Sequence, residues 1–368
     1  MALKSGIVGL PNVGKSTLFN AITKKSVEAA NYPFATIEPN DGMIFYNDER
    51  LNFLSAIFHP LKTVYAQVEY FDIAGLVKGA SKGEGLGNKF LSHIRECDLI
   101  VEVVRAFKDD SIIHVEESVN PIRDIETINL ELCMADLESV NRRMEKVAPK
   151  ARINKDKESM FEMEILEVLK ENLEKGIPSR YLAFDELKAH YIKKTLNLLT
   201  FLPHIYVANV SANSLGDIES DLLYQEVRNF ANSHGEVAIA ISCELEKDLA
   251  YLPKEEREEF LSDLNLKSSG LDSLIKLTYD TLGLKTFFTV GKDECRAWTF
   301  KDGMSAEECA GLIHTDLQRG FIKAEIYHYD DIVKYQDEQK VKEAGKLRIE
   351  GRDYKMQDGD IVYIRFSV

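Results

Sequence analysis

One segment near the amino terminus constrains the fold more than any other part of the sequence. Residues 9–17 read GLPNVGKST and match the pattern GxxxxGK[ST]. Residues 4–8 are typical of a short buried strand, and residues 18–22 have the apolar spacing of a helix. Strand, loop and helix in this order form the phosphate-binding loop of nucleotide-binding domains. The segment therefore predicts an α/β P-loop domain, to which the alternative is an ordinary Gly-rich turn.

The chemistry of this loop follows from its residue types. Glycines let backbone N–H groups turn inward around phosphate oxygens, and the following helix start adds the positive end of its dipole. We expect Lys15 to reach the β- and γ-phosphates and Ser16 to ligate Mg²⁺. The nucleotide-binding residues expected in the loop are Asn12, Val13, Gly14, Lys15, Ser16 and Thr17.

A second motif narrows the class of P-loop protein. A strand-like alternating pattern ends in Asp72, and Gly75 follows three positions later. An Asp at a strand end can hold the water shell of magnesium, and a glycine N–H can contact a γ-phosphate. Between the two motifs, the Pro-punctuated loop 31–40 offers Thr36 as a further magnesium ligand. We therefore expect a nucleotide switch whose metal site is formed by Ser16, Thr36 and Asp72.

Three stretches carry a family resemblance. They are the loop at 9–16, NYPFATIEPN at 31–40 and DIAGLVKGASKGEGLGNKF at 72–90. Together they resemble the YchF/Obg-like ATPase family of translation-factor-related P-loop NTPases, and the likeness runs over residues 6–368. The resemblance implies a Mg²⁺-dependent enzyme that slowly hydrolyses ATP to ADP and phosphate and acts as a nucleotide-controlled switch. It also implies binding to the ribosome, as the 50S subunit or the 70S particle, and to rRNA.

The position after Gly75 carries Leu76, where Ras-like enzymes place a Gln that orients the attacking water. Leucine cannot hydrogen-bond water, so either hydrolysis awaits a partner or another group supplies this function. The family resemblance implies one such group, a K⁺ ion held by Asn12. A histidine is another: His114 follows a predicted strand end and His93 lies in a helix, although a lone His is more often structural. The catalytic residues expected are Lys15, Gly75 and His114.

The choice of nucleotide depends on a third segment. A predicted strand at 202–208 is followed by Asn209, Val210 and, two positions on, Ala212. GTPases carry N-K-x-D here, and without the Asp carboxylate the donors of guanine stay unpaired. We therefore expect ATP, held through backbone contacts near Asn209 and Val210. The resembling family usually has Glu where this chain has Ala212. Residues 237–244 are similar to the last base-side loop, although a buried strand and a capped helix explain most of them.

A helical insertion is predicted between the strands. Two apolar stripes with 3–4 spacing, separated at Ala148 and Pro149, indicate an antiparallel helical hairpin. The first stripe comprises Leu130, Cys133, Leu137, Val140, Met144 and Val147, and the second Met163, Leu166, Leu169 and Leu173. Basic residues gather at the predicted tip: Arg142, Arg143, Lys146, Lys150, Arg152, Lys155 and Lys157. Such a cluster is usually a solvated face, but it can also contact RNA phosphates, which the family resemblance favours.

The last part of the chain has a different pattern. Strands are predicted at 286–290, 295–300, 323–327, 354–356 and 361–366, with one helix that opens at a capping box from Ser305 to Glu308. One helix on a mixed sheet is a β-grasp, and it resembles the TGS domain of translation- and RNA-linked proteins. The expected domains are thus an NTPase domain at 1–128 and 203–283, a helical arm at 129–202 and a TGS domain at 284–368.

Composition limits the partners and the compartment. The chain has 46 Lys and Arg against 61 Asp and Glu, a formal net charge of −15. This balance opposes a non-specific nucleic-acid coat, so we expect no DNA partner and RNA contact only through a restricted face. The family resemblance implies that this contact is made by the helical arm and the TGS domain. The five scattered cysteines include no CxxC pair, which favours a reducing cytoplasm. No run approaches the about 18 apolar residues of a membrane helix, and the first residues lack signal-peptide form.

Two other functions stay open from the sequence. One is a GTPase switch, and the other is a ribosome- or RNA-binding module in which hydrolysis is incidental. A small-molecule kinase is disfavoured, because the Asp72 motif with the Thr36 loop predicts γ-phosphate sensing and no acceptor pocket is recognisable.

Overall fold

The computed structural model describes residues 3–30, 42–73, 91–109, 111–112, 118–153 and 156–367. These residues fall into two compact units. The larger unit contains the described residues of Leu3–Gly42 and Glu69–Leu271, and the smaller one those of Met43–Val68 and Asp272–Val368.

Each unit contains strands and helices. The strands are β1 (Leu3–Val8), β2 (Gly42–Tyr46), β3 (Lys62–Val64), β4 (Ala66–Asp72), β5 (Leu99–Arg105), β6 (His204–Asn209), β7 (Val237–Ile241), β8 (Leu284–Thr289), β9 (Glu294–Lys301), β10 (Phe321–His328), β11 (Arg348–Glu350) and β12 (Asp360–Phe366). The α-helices are α1 (Lys15–Ala30), α2 (Glu49–Phe58), α3 (Pro121–Ile153), α4 (Lys157–Glu174), α5 (Glu186–Tyr191), α6 (Leu222–Ser233), α7 (Cys243–Leu249), α8 (Lys254–Asp263), α9 (Gly270–Thr281), α10 (Ala306–Ile313), α11 (Thr315–Arg319), α12 (Tyr329–Tyr335) and α13 (Glu338–Glu343). Short 3₁₀ or π turns cover Ser179–Tyr181, Ile192–Leu196, Leu199–Phe201 and Ala212–Ser220. No helix in the described part of the chain is long and apolar enough to cross a membrane.

The predicted α/β fold is confirmed in the larger unit. The strands β4, β1, β5, β6 and β7 are neighbours in that order in one sheet, and the pairs from β1 to β7 are parallel. Every residue of β5 and β6 is buried, as expected for central strands covered on both faces. Because parallel strands end at one edge, the last residues of β1, β5, β6 and β7 meet there, which is where such sheets bind ligands.

The helical insertion forms the predicted hairpin, with two corrections. A short connection joins α3 to α4, so the two helices run antiparallel, and they pack through a core that includes Cys133, Val140, Leu166 and Leu169. The predicted break at Pro149 is wrong, since α3 continues to Ile153. Proline removes one helical N–H near the helix end, and Glu145, the residue four positions earlier that loses this donor, is exposed to water. Leu130, predicted for the apolar stripe, is half exposed.

The smaller unit contains a second six-stranded sheet of order β11-β10-β12-β8-β9-β3. Helix α10 covers one face through a core that includes Phe287, Phe300 and Cys309. The predicted capping box is confirmed: the Ser305 Oγ accepts from the Glu308 N–H, and the Glu308 carboxylate accepts from the Ser305 N–H at 2.7 Å.

Three details of the smaller unit differ from the prediction. Residues 354–356 form no strand, and only one isolated bridge joins Lys355 to Ser305. Strand β11 was not expected, because its three residues are too few for a recognisable alternation. The expected single helix is accompanied by α11, α12 and α13, which are all shorter than eight residues.

Candidate functional site

The loop between β1 and α1 has a backbone that its glycines make possible. Gly9, Asn12 and Gly14 have φ angles of 154°, 62° and 107°, in the region that ordinary side chains rarely adopt. A Cβ at Gly9 would lie 2.5 Å from the Val103 carbonyl oxygen, and a Cβ at Gly14 would collide with the Asn209 amide. The loop is therefore pressed against the ends of β5 and β6, and substitution at either glycine would force it outward.

Lys15 lies inside this loop. Its side chain is buried, and the Nζ donates a 2.7 Å hydrogen bond to the Leu10 carbonyl. Burial lowers the pKa of Lys15 to about 8, while the negative charge of Asp72 acts in the opposite direction. An ammonium group held this way lacks a full counter-charge, so the position favours an anion such as phosphate.

Two of the predicted metal ligands are described, and both fit magnesium. Ser16 is exposed in the first turn of α1, and Asp72 is exposed at the end of β4. The strand end lies beside β1, where the Ile73 N–H donates to the Ile7 carbonyl at 3.2 Å. Partial burial raises the pKa of Asp72, and Lys15 lowers it. A hydroxyl and a carboxylate are the oxygen ligands that Mg²⁺ prefers.

Asn209 joins three parts of the site. Its side-chain Nδ2 donates to the Val13 carbonyl at 2.8 Å, and its Oδ1 accepts from the Cys243 N–H at 3.0 Å. The same amide group therefore links the end of β6 to the phosphate loop and to the first turn of α7. The sequence motif singled out Asn209 as a base contact, and the structure adds this role as a connector.

The neighbouring backbone is also engaged. Val210 is buried, and its N–H donates to the Ile241 carbonyl at 2.9 Å. Ser242 caps α7 by accepting from the Leu245 N–H, which confirms the expected strand followed by a capped helix. Ala212 begins a 3₁₀ segment and brings no carboxylate to this edge of the sheet.

Several predicted site residues lie outside the described residues. Thr36, Gly75 and His114 belong to this group, as does Leu76. The alternative histidine, His93, is described: it is exposed, and its carbonyl accepts from the Cys97 thiol at 3.4 Å.

Arg105 is a site residue that the sequence analysis missed. It ends β5, is fully buried and donates hydrogen bonds to the carbonyls of Phe107, Asp109 and Ile112 at 3.2, 2.9 and 3.0 Å. One guanidinium thereby fixes the backbone that leaves the sheet beside the phosphate loop. The available signal was an arginine closing the otherwise apolar strand LIVEVVR.

Comparison with known proteins covers the whole chain. A family model for a 50S ribosome-binding GTPase (MMR_HSR1) matches residues 4–136, and a model described as a protein of unknown function (YchF-GTPase_C) matches residues 284–367. A Bacillus subtilis (strain 168) protein named Ribosome-binding ATPase YchF is 52% identical over 368 residues, covering 100% of both chains. The protein of the same name from Escherichia coli O157:H7 is 46% identical, again with 100% of both chains covered.

A solved structure agrees with this similarity. The structure of the Schizosaccharomyces pombe YchF GTPase superimposes with a TM-score of 0.88 at 40% identity. The match covers 99% of this chain and 97% of the other. Because sequence and structure agree over the full length, the chain belongs to the YchF family.

Proposed function

We propose that the chain is a Mg²⁺-dependent ATPase that hydrolyses ATP to ADP and phosphate and acts as a nucleotide-controlled switch on the ribosome. The observation that carries this proposal is the 52% identity, over the whole of both chains, to a ribosome-binding ATPase. The buried Lys15 within its loop supplies the matching chemistry, a cation in need of phosphate. Ribosomes lie in the cytoplasm, so we place the protein there.

The roles of individual residues follow from the site geometry and from the motifs. Lys15 and the N–H groups of loop residues 12–17 stabilise charge on the phosphates. Ser16, Thr36 and Asp72 would hold Mg²⁺, which supplies further positive charge at the transferred phosphate. Gly75 would sense the γ-phosphate through its N–H. His114, or a K⁺ ion at Asn12, would replace the missing Gln at Leu76.

The residues around Asn209 and Val210 favour adenine over guanine. Asn209 commits its amide to Val13 and Cys243, and the Val210 N–H is bonded to Ile241. Backbone carbonyls near these residues are then the groups offered to a base, and a carbonyl accepts from the adenine amino group while it repels guanine O6. Because Ala212 has no carboxylate, the paired acceptor that GTPases offer to the N1–H and N2–H₂ of guanine is missing there.

The ribosome contact is assigned to the helical arm and the TGS-like domain, at residues 129–202 and 284–368, with the NTPase domain at 1–128 and 203–283. Exposed basic side chains near the hairpin tip are Arg142, Lys146, Lys150, Arg152 and Lys157. Arg143, which the sequence analysis grouped with them, is instead paired with Glu162 across the hairpin. Phosphates of rRNA are the complementary partner for the exposed cations.

Competition against a fluorescent ATP analogue tests the nucleotide assignment. Unlabelled ATP should displace the analogue at much lower concentration than GTP, and Ala212→Asp should move the preference toward GTP by restoring the guanine acceptor. A strong GTP preference in the unmodified protein would support the GTPase alternative. A hydrolysis assay identifies the group that replaces the missing Gln. A loss of activity when Na⁺ replaces K⁺ would indicate the ion, and a loss of activity in His114→Ala would indicate the histidine.

A further inference from the structure

A group of buried polar side chains lies inside the larger unit. Glu102 is in the middle of β5, His204 begins β6, and Arg180 lies in the 3₁₀ turn that follows the helical hairpin. In the parallel register Glu102 is opposite Tyr206 and Ile100 is opposite His204, so Glu102 and His204 share one face of the sheet. Glu102 is 0% exposed and His204 is 2% exposed, and the Arg180 side chain is 6% exposed.

The charge of Arg180 is already balanced. Its Nε donates to Glu236, and its Nη2 donates to Asn129 Oδ1 at 2.8 Å and to the Tyr206 hydroxyl at 3.2 Å. The Tyr206 and Tyr181 hydroxyls in turn donate to Glu236, at 2.8 and 3.0 Å. Arg180 and Glu236 therefore form one buried ion pair with its own hydrogen-bonding shell.

Four buried polar atoms of Glu102, Arg180 and His204 have no hydrogen-bond partner in the described part of the chain. Both carboxyl oxygens of Glu102, the Nη1 of Arg180 and the Nε2 of His204 are buried without a hydrogen bond from any residue that the structure describes. A buried polar atom left unpaired destabilises the folded state, and native proteins rarely contain several together. Arg180 donates to the Tyr206 hydroxyl, and Tyr206 lies opposite Glu102 on the sheet face that Glu102 shares with His204, so the three side chains lie on the same side of the sheet.

The chemistry of these atoms defines the missing partner. The Nδ1 of His204 is 3.0 Å from the Leu202 carbonyl, which only accepts, so Nδ1 carries the hydrogen and Nε2 is an acceptor. The Nη1 of Arg180 is a donor, and a neutral Glu102 offers one donor and one acceptor. A cation would be repelled by Arg180, and an anion by the Nε2 lone pair. Water, which donates and accepts, satisfies the whole set.

We propose that Glu102, Arg180 and His204 form an internal water-binding site in which Glu102 is an uncharged carboxylic acid. Burial raises the pKa of Glu102 well above its ordinary range; Arg180 opposes this, and Glu236 and Asp124 reinforce it. Burial also lowers the pKa of His204, which keeps the ring neutral. Tyr181, Tyr206 and Cys133 are further titratable groups near Arg180, and burial raises the pKa of each.

The charge state is tested by the pH dependence of unfolding. The folded protein keeps a proton on Glu102 that the unfolded chain has released, so its stability falls as pH rises from the unfolded pKa toward the folded one. Glu102→Gln keeps the shape and the donor–acceptor pair but does not titrate. Above about pH 5, where the carboxyl of the unfolded chain has lost its proton, the unfolding constant of the unmodified chain, divided by that of Glu102→Gln, should rise by up to tenfold per pH unit. If the ratio of the two unfolding constants does not change with pH, the proposal is overturned.

The water is tested separately. Glu102→Met fills a similar volume without hydrogen-bonding groups, so its unfolding constant should exceed that of Glu102→Gln by about tenfold or more. Equal stability of Glu102→Gln and Glu102→Met would contradict a water bound at this position. Two measurements on the unmodified folded protein complete the test: the infrared band of a protonated carboxyl, lost in Glu102→Gln, and a high-resolution crystal structure. An ordered water bonded to all three side chains is expected, and direct pairing of these side chains would exclude the site.

Discussion

At the residue scale, Lys15 is the side chain that we propose to contact the nucleotide phosphates. The loop buries the ammonium group and bonds it to the Leu10 carbonyl at 2.7 Å, and this burial lowers its pKa to about 8. Nucleotide phosphates would supply the negative charge that the free protein lacks at this point. The charge state of Lys15 and the binding of nucleotide are therefore linked.

This linkage predicts a specific pH profile for ATP binding. We expect ATP to bind the protonated form of Lys15. The Kd should therefore be constant below about pH 8 and rise by up to tenfold per pH unit above it. Titration of a fluorescent ATP analogue between about pH 7 and 9.5 measures this, with circular dichroism as the control for folding. A Kd that does not change across this range would contradict the linkage.

Single residues differ in how well the sequence predicted them. Lys15 and Ser16 follow from a local motif, because the loop conformation is encoded within nine residues. The connecting role of Asn209 depends on partners from distant segments, Val13 and Cys243, and the role of Arg105 depends on how the backbone folds back over residues 107–112. No pattern along the chain reveals such partners, so these roles required the folded structure.

At the element scale, helix ends were the weakest part of the prediction. The apolar spacing identified both arm helices, but Pro149 was read as a separator although α3 continues to Ile153. Proline stops a helix reliably only in its interior, and in the last turns few hydrogen bonds remain to be lost. Capping chemistry was more dependable, since the Ser305–Glu308 box forms as its sequence indicates.

The capping box allows a stability prediction. Ser305→Ala removes the side-chain acceptor for the Glu308 N–H and should lower the free energy of unfolding by about 1 kcal/mol. Glu308→Gln is the matched control, because Gln can still accept from the Ser305 N–H. Chemical denaturation of both variants measures the difference. Equal losses in the two variants would show that the Ser305 hydroxyl does not stabilise the helix start.

The arm tip allows a binding prediction. Lys150→Glu with Arg152→Glu reverses two exposed charges near the hairpin connection and should weaken ribosome binding, most strongly at low salt. Lys267→Glu with Lys276→Glu makes the same change in net charge at two exposed lysines outside the arm and the TGS-like domain. Sedimentation with purified ribosomes compares the pairs. Similar weakening by both would point to net charge and away from the tip.

At the scale of the whole molecule, the distribution of charge limits where RNA can bind. A formal net charge of −15 opposes broad contact with RNA, and basic residues collect instead near the end of one helical hairpin. The α/β fold and the family were predictable from the sequence, because the phosphate loop and the stretches at 31–40 and 72–90 are local motifs. The set of strands in the second sheet was not predictable from the sequence, because β3 joins this sheet from residues far away along the chain.

The central claim is that nucleotide controls the binding of this ATPase to the ribosome. Co-sedimentation of the full chain with 70S ribosomes, in ATP, in ADP and without nucleotide across a salt series, tests it most directly. Bound fractions should differ between ATP and ADP, and Lys15→Ala should remove both this difference and ATP hydrolysis. Binding that is absent at every salt concentration, or identical in all three nucleotide states, would contradict the account.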